Sequence, residues 1–280
     1  MAPKAKGCSF FEPLTNVSYL YDGTQEGLLS AVFESYERHE IPNGIFAEFE
    51  YQPRLDESSY FVETSMERSC RVGACVERIA GKKALIAVLR AAASESPERG
   101  MVVYEFVRYA IESNRTGCSR SKILDDLTNP ALSNLSRISR RVANEEEKMR
   151  QFVRFRHLES GIWFAECNPN ASVVPFVMPH FAARFNVQPF IIYDARHKIA
   201  GVYDGHDWCI VSDSIGDVPK RAEGDEYAEA LWQRFYDSVT IEARYNPELR
   251  RSFMPMRLWR DLPEMLPRKS GLVGTTRETL

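Results

Sequence analysis

The run Phe152-Val153-Arg154-Phe155-Arg156-His157-Leu158-Glu159-Ser160-Gly161-Ile162-Trp163-Phe164-Ala165-Glu166-Cys167 decides the fold. Residues 151–159 and 162–167 flank the short polar turn Glu159-Ser160-Gly161, the pattern of a β-hairpin. Strand alternation sends Val153, Phe155 and His157 to one face and Arg154 and Arg156 to the other. Downstream, Val174, Val177, Met178, Phe181 and Phe185 recur at helical spacing, and 190–194, 199–203 and 208–211 read as further strands. Pro179 lies inside that helix, where it has no N–H to donate and bends the axis. The expectation is an α+β fold: an antiparallel sheet with a packed, kinked helix.

Working outward, Tyr19-Leu20-Tyr21 reads as a short strand, Asp22-Gly23 as a turn, and Thr24 as the cap of a helix carrying Leu29, Val32, Phe33 and Tyr36. Prolines 42 and 53 and the acidic residues around them suggest a surface connection over 40–56, with a possible edge strand at 60–63. From Met66 to Thr116 the apolar period is helical, through Leu85, Val88, Leu89 and Ala92 and then Val103, Phe106, Val107, Ala110 and Ile111. Thr128-Asn129-Pro130 marks the start of another helix. Ala228, Leu231, Trp232, Phe235 and Val239 give a C-terminal amphipathic helix, expected to dock on the core. The domain expectation is a disordered leader over 1–17, a mainly helical region over 18–128, an α+β core over 129–266 and a disordered tail over 267–280. Tyr-Asp-Gly at 21–23 recurs at 203–205; the two turns would meet if the opening strand joined the main sheet.

With 280 residues and 44% hydrophobic residues the chain can bury a sizeable core without staples. A net charge of −3 and a pI near 6.0 exclude a general polycation, so any nucleic-acid contact must rest on a local basic face. Cys8, Cys70, Cys75, Cys118, Cys167 and Cys209 form no disulfide-like framework, and no signal peptide or membrane-length apolar run is present. A cytoplasmic protein with reduced thiols and no membrane contact is expected. Cys70 and Cys75 are five apart on a helix, and His206 with Cys209 is half a metal site, so no structural metal is expected. No phosphate loop, dinucleotide fingerprint, nucleophile elbow or C-x-x-C pair occurs, and no cofactor is expected.

Two sets of candidate residues remain. Arg137 and Arg141 lie on one side of the 130s helix, Arg154 and Arg156 on one face of the first hairpin strand, and Arg250, Arg251 and Arg257 with Trp259 in the C-terminal segment. Arginines with an aromatic suit phosphate contacts and base stacking. The same residues also serve as a solvated helix face, as cross-strand pairs with Glu159 or Glu166, or as ties between the C-terminal segment and the domain. The second set is His180, beside the carbonyl freed by Pro179, with Asp194 and Asp204 as partners in acid–base chemistry. Here the alternatives are a structural histidine and an Asp-Gly hairpin turn.

Several motifs together resemble a family. They are Tyr19-Leu20-Tyr21-Asp22-Gly23-Thr24, Phe152-Val153-Arg154-Phe155 through Gly161, Pro175-x-x-x-Pro179-His180-Phe181-x-x-Arg184-Phe185, Asn246-Pro247, and Met254-Pro255-x-Arg257-x-Trp259-x-x-Leu262-Pro263-Glu264. The chain resembles, over 19–264, an uncharacterised bacterial family described as DNA metabolism or repair proteins. Genes of that family lie beside a radical SAM (S-adenosylmethionine) protein, and a similar domain is fused to uracil-DNA glycosylase-like domains. The resemblance implies a DNA-directed role and a radical SAM partner; this chain lacks the cysteine triad of a radical enzyme. The leading expectation is a DNA-binding accessory protein in repair or modification. Its rivals are a glycosylase-like or other hydrolytic enzyme acting on a nucleobase, and a scaffold that binds a protein partner without touching DNA.

Overall fold

The computed structural model describes residues 16–212, 220–244 and 246–267; the expected leader up to residue 15, with Cys8, and the tail from residue 268 lie outside the described residues. The chain is α+β and divides into two compact units, the first ending at Ala143 and the second beginning at Asn144. That division falls within one helix and not at the expected 128/129 boundary.

In the first unit β1 (Val17–Tyr21) runs parallel to β2 (Gly44–Ala47) on one side and to β3 (Ser58–Phe61) on the other. β1 therefore belongs to its own parallel sheet and does not join the main one. The two Tyr-Asp-Gly turns end strands of different sheets. Asp22 accepts from the Thr24 N–H at 2.9 Å, and Thr24 in turn caps α1 (Gln25–Glu37) by accepting from the Gly27 N–H at 2.9 Å. β2 occupies part of the stretch expected to be a surface connection; Ile45 and Ala47 are buried in it. Two buried apolar positions are too few for a strand to declare itself beside Pro42 and a run of acids.

A helical layer of α2 (Met66–Ala80), α3 (Lys82–Ala92), α4 (Arg99–Arg115) and α5 (Arg120–Asp125) completes this core, with Val88, Val103, Phe106 and Ala110 fully buried. α4 approaches β2 closely at Gly100, where a Cβ would stand 2.1 Å from the Ile45 carbonyl oxygen. Beside it Arg99, 4% exposed, donates to Tyr21 at 2.9 Å, to Glu50 at 3.0 Å and to the Ser96 carbonyl at 3.1 Å. Every one of those contacts offsets the cost of burying a charge. α6 (Pro130–Phe152) opens with Asn129 accepting from the Ala131 N–H at 2.9 Å and with proline at the position where no N–H is needed.

The second unit is built on a five-stranded sheet in chain order, β4 (Arg156–His157), β5 (Trp163–Cys167), β6 (Phe190–Asp194), β7 (Ile199–Tyr203) and β8 (Trp208–Ser212). The expected first hairpin strand is mostly something else: residues up to Phe152 finish α6, and only Arg156 and His157 pair with β5. Three strand pairs are antiparallel, but β5 and β6 are parallel. The reason is α7 (Val174–Phe185), which carries the chain back along the sheet between them, the connection that a parallel pair needs. α7 packs over β7 at Gly201, where a Cβ would meet Met178 Sδ at 2.3 Å.

α8 (Asp225–Val239) does not dock its apolar face on the core as expected. Leu231, Phe235 and Val239 are exposed, and the buried residue is Gln233, which donates to the Pro263 carbonyl at 2.6 Å. The C-terminal segment after α9 (Pro247–Phe253) thus meets α8 on its polar side. Among the described residues no helix is long and apolar enough to cross a membrane.

Candidate nucleic-acid interface

The second unit contains a cavity of about 960 Å³ that runs around the β4 edge of the sheet. The strand register explains its two-sided lining. Arg156 pairs with Phe164 and His157 with Trp163, and side chains alternate across the sheet. Trp163 shares its face with Gly201, through the register Trp163–Phe190–Tyr203 and the two-residue period, and that face carries α7. On this side the cavity is aromatic: the Phe155 ring lies 4.6 Å from Phe185, and the His157 ring 4.9 Å from Trp163. On the opposite side stand Arg156, Phe164 and Glu166, joined by Arg221, Trp232, Arg260 and Asp261. β4 is only two residues long, so the sheet ends early enough for both sides to open into one space.

Arg156 is poorly served by its surroundings. Its guanidinium lies over the Phe164 ring at 4.9 Å; among the described residues its nearest carboxylate oxygen, on Glu166, is 4.0 Å away and its buried Nε has no hydrogen-bond partner. Burial, with the neighbouring Arg221 second, holds its pKa below the usual guanidinium range. Arg221 is paired with Glu229 at 2.6 Å. Asp261, 3.1 Å from Arg260, has its pKa raised by burial, with Arg260 opposing the shift. A partly desolvated arginine beside a second one is a place where an anion lowers the energy of both.

The other arginines read from sequence are distributed as follows. Arg154 lines the cavity, donates to Glu264 at 2.8 Å and to the Gln151 carbonyl at 2.8 Å, and lies over the Trp232 ring at 5.9 Å. Arg137 pairs with Glu98 at 2.8 Å within the first unit, and Arg141 is exposed on α6. Arg257 is bound to both carboxylate oxygens of Glu145 at 2.6 Å and to the Asn168 carbonyl at 3.3 Å. Trp259 donates to the Met254 carbonyl at 3.0 Å and lies under the Arg250 guanidinium at 5.0 Å, while Arg251 is exposed on α9. So Arg257 ties the C-terminal segment to the unit, while the Trp259 contacts stay within that segment.

His180, Asp194 and Asp204 do not line the cavity. His180 is exposed on α7, its ring edge-on to Phe181. Asp194 is fully buried and holds the turn after β6, accepting from the N–H groups of Arg196 at 3.0 Å and His197 at 3.1 Å and lying 2.6 Å from His197 Nδ1. Asp204 sits at the far end of β7 from Asp194, roughly 13 Å of strand away. It accepts from the N–H groups of His206 and Asp207, which hold its pKa below the usual carboxylate range. Each aspartate is thus occupied in shaping its own hairpin turn.

Sequence reading missed Arg221, Trp232, Arg260 and Asp261 as cavity residues. Arg260 and Asp261 stand next to the Trp259 that attracted attention, but only the register of β5 and the return of the C-terminal segment bring them to Glu166, with Arg260 3.9 Å from it. Among the described residues no group of three or more His, Cys, Asp or Glu side chains is gathered as a metal-ligand set.

A family model described as a domain of unknown function, DUF4130, matches residues 97–264, more than half of the chain. No curated protein matches it.

Proposed function

The chain belongs to the DUF4130 family of domains of unknown function, and from that premise we propose that it is a cytoplasmic DNA-binding accessory protein in repair or modification, contacting DNA through the cavity of its second unit. The observation that carries this reading is Arg156, held half-buried in that cavity with, among the described residues, an unpartnered Nε and no carboxylate nearer than 4.0 Å. Phosphate is the counter-charge that such a guanidinium fits, and the aromatic side of the same cavity offers rings to a base. Net charge does not favour DNA, so binding has to be local. A radical SAM protein, implied by the family resemblance, completes the proposal as partner. The exposed apolar stripe of α8, through Leu231, Phe235 and Val239, runs on from the cavity residue Trp232 and is the surface it would cover.

The test is fluorescence anisotropy with short single- and double-stranded DNA across a salt series, with an acidic polymer as competitor. Binding that weakens with salt, survives the competitor and loses about one unit of salt slope in Arg156→Ala supports the reading. No binding at low salt overturns it and leaves the protein-scaffold function.

A second reading has one observation in its favour: Asp261, with its pKa raised by burial, faces the same cavity as Glu166. A carboxyl that keeps its proton longer than usual is suited to general-acid chemistry on a nucleobase. Release of a base from DNA by the wild type and not by Asp261→Asn would establish it; intact DNA after prolonged incubation would remove it.

A further inference from the structure

The cavity has two chemically different sides, and the fold fixes which is which. Because Arg156 and His157 are successive residues of one strand, their side chains leave on opposite faces of the sheet. The α7 side is ring-lined by His157, Trp163 and Phe185; the other side carries Arg156 and Arg221 with Glu166 between Arg156 and Arg260. Ligand pockets usually run from roughly 300 to 1,000 Å³, and about 960 Å³ puts this one at the upper end. That is space for a base, a sugar and a phosphate together, and far too narrow for a duplex.

Resting on the DNA-binding reading above, we infer that the cavity takes one nucleotide turned out of a DNA strand, its base stacked on the ring-lined side at His157 and Trp163 and its phosphate held by Arg156 and Arg221. Two features of the site fit that ligand and not a bare anion. The rings stand half-buried and not closed over, so they have a face left to cover. Arg156 is the strand neighbour of His157, so the cation and the rings border one cavity from the two faces of the sheet edge, where a ligand with a base at one end and a phosphate at the other meets both. A base inside an intact duplex cannot reach rings recessed behind a sheet edge, so the nucleotide must leave the stack, which costs least where pairing is already weak.

The experiment compares a matched duplex with the same duplex carrying one mismatch, in the wild type and in Trp163→Ala, Trp163→Phe, and Arg156→Ala. The wild type is expected to bind the mismatched duplex roughly tenfold tighter, the order of one base gained on an aromatic side chain. Trp163→Ala should lose that preference with the salt slope unchanged, Trp163→Phe should restore it, and Arg156→Ala should weaken both duplexes. A deoxynucleoside monophosphate should compete with the mismatched duplex, and the deoxynucleoside without phosphate should compete far less. Salt-dependent binding with equal affinity for both duplexes, and no competition by the monophosphate, overturns the extruded nucleotide while leaving DNA binding standing. Absence of any salt-dependent binding overturns both. The wild-type comparison decides the matter even if Trp163→Ala fails to fold.

Discussion

Arg257 places Nη2 2.6 Å from both carboxylate oxygens of Glu145, a residue 112 positions earlier in the chain. Glu145 is 5% exposed and also accepts from the Asn170 N–H at 2.8 Å, so it is an ion held inside the unit by two different segments. Removing Arg257 leaves the buried Glu145 charge only the Asn170 N–H and Lys148, whose Nζ stands 3.9 Å away. Arg257→Ala should therefore destabilise the second unit by about 3 kcal/mol, with Arg257→Lys recovering only part of it. Urea unfolding followed by tryptophan fluorescence measures this; a loss under about 0.5 kcal/mol, the scale of a surface pair, would show that the tie is solvated.

Gly100 tests the opposite kind of contact. Helix propensity alone predicts that Gly100→Ala gains about 1 kcal/mol within α4. The added Cβ would stand 2.1 Å from the Ile45 carbonyl oxygen, a backbone atom that cannot swing aside. A net loss of about 3 kcal/mol is expected, because overpacking against backbone outweighs the propensity gain. Thermal unfolding of the variant gives the sign directly.

Asp261 gives stability a pH dependence of predictable sign. Burial raises its folded-state pKa above the unfolded value. Below the unfolded pKa both states keep the proton and the group costs nothing; as pH rises through the folded pKa, the charge becomes harder to form in the folded state and stability falls. Asp261→Asn should thus gain on the wild type as pH rises from the ordinary aspartate range, about 3.9, through the raised folded pKa, and hold a constant advantage above it. A difference that does not change across that range would show that the side chain is hydrated.

Cysteine reactivity separates buried from open thiols. Cys167 is buried, and burial raises its pKa well above the ordinary thiol range, with Asp194 adding to the effect. Cys70 and Cys209 are exposed. Alkylation at neutral pH followed by peptide mass spectrometry should label Cys70 and Cys209 within minutes and Cys167 only after denaturant is added, since the thiolate is the reacting form.

Much of the fold was legible because local chemistry decides it. Thr24 and Asn129 cap the helices that follow them, and the strands from Trp163 onward carry the period of a half-buried sheet. What failed to show was long-range. A strand-helix-strand order around α7 already pointed to a parallel pair, yet the sheet was expected to be antiparallel throughout. The pattern of 153–157 reads as a strand, but α6 runs on to Phe152 and leaves only two residues to pair, so side chains assigned to opposite faces meet in one cavity. α8 carries apolar residues at core spacing, and nothing local tells a helix whether the partner for that face lies in its own chain. The arginines divided on the same ground: Arg257 and Arg156 look alike in sequence, and only the presence of Glu145 beside one and its absence beside the other gives them different work.

The contacts of Arg99 bear on what can be inherited or expressed as a piece. The family match starts at residue 97, yet Arg99 is fastened to Tyr21 and Glu50, and Gly100 is pressed against Ile45, all upstream of that start. A fragment cut at 97 would carry α4 away from the strands that cover it and offer Val103, Phe106 and Val107 to water. Sequence kinship and self-sufficiency therefore have different borders in this protein. The cavity belongs to the compact unit that begins at Asn144, and Arg99 and Gly100 to the one that ends at Ala143, so the family border at 97 cuts through the first unit and coincides with neither limit.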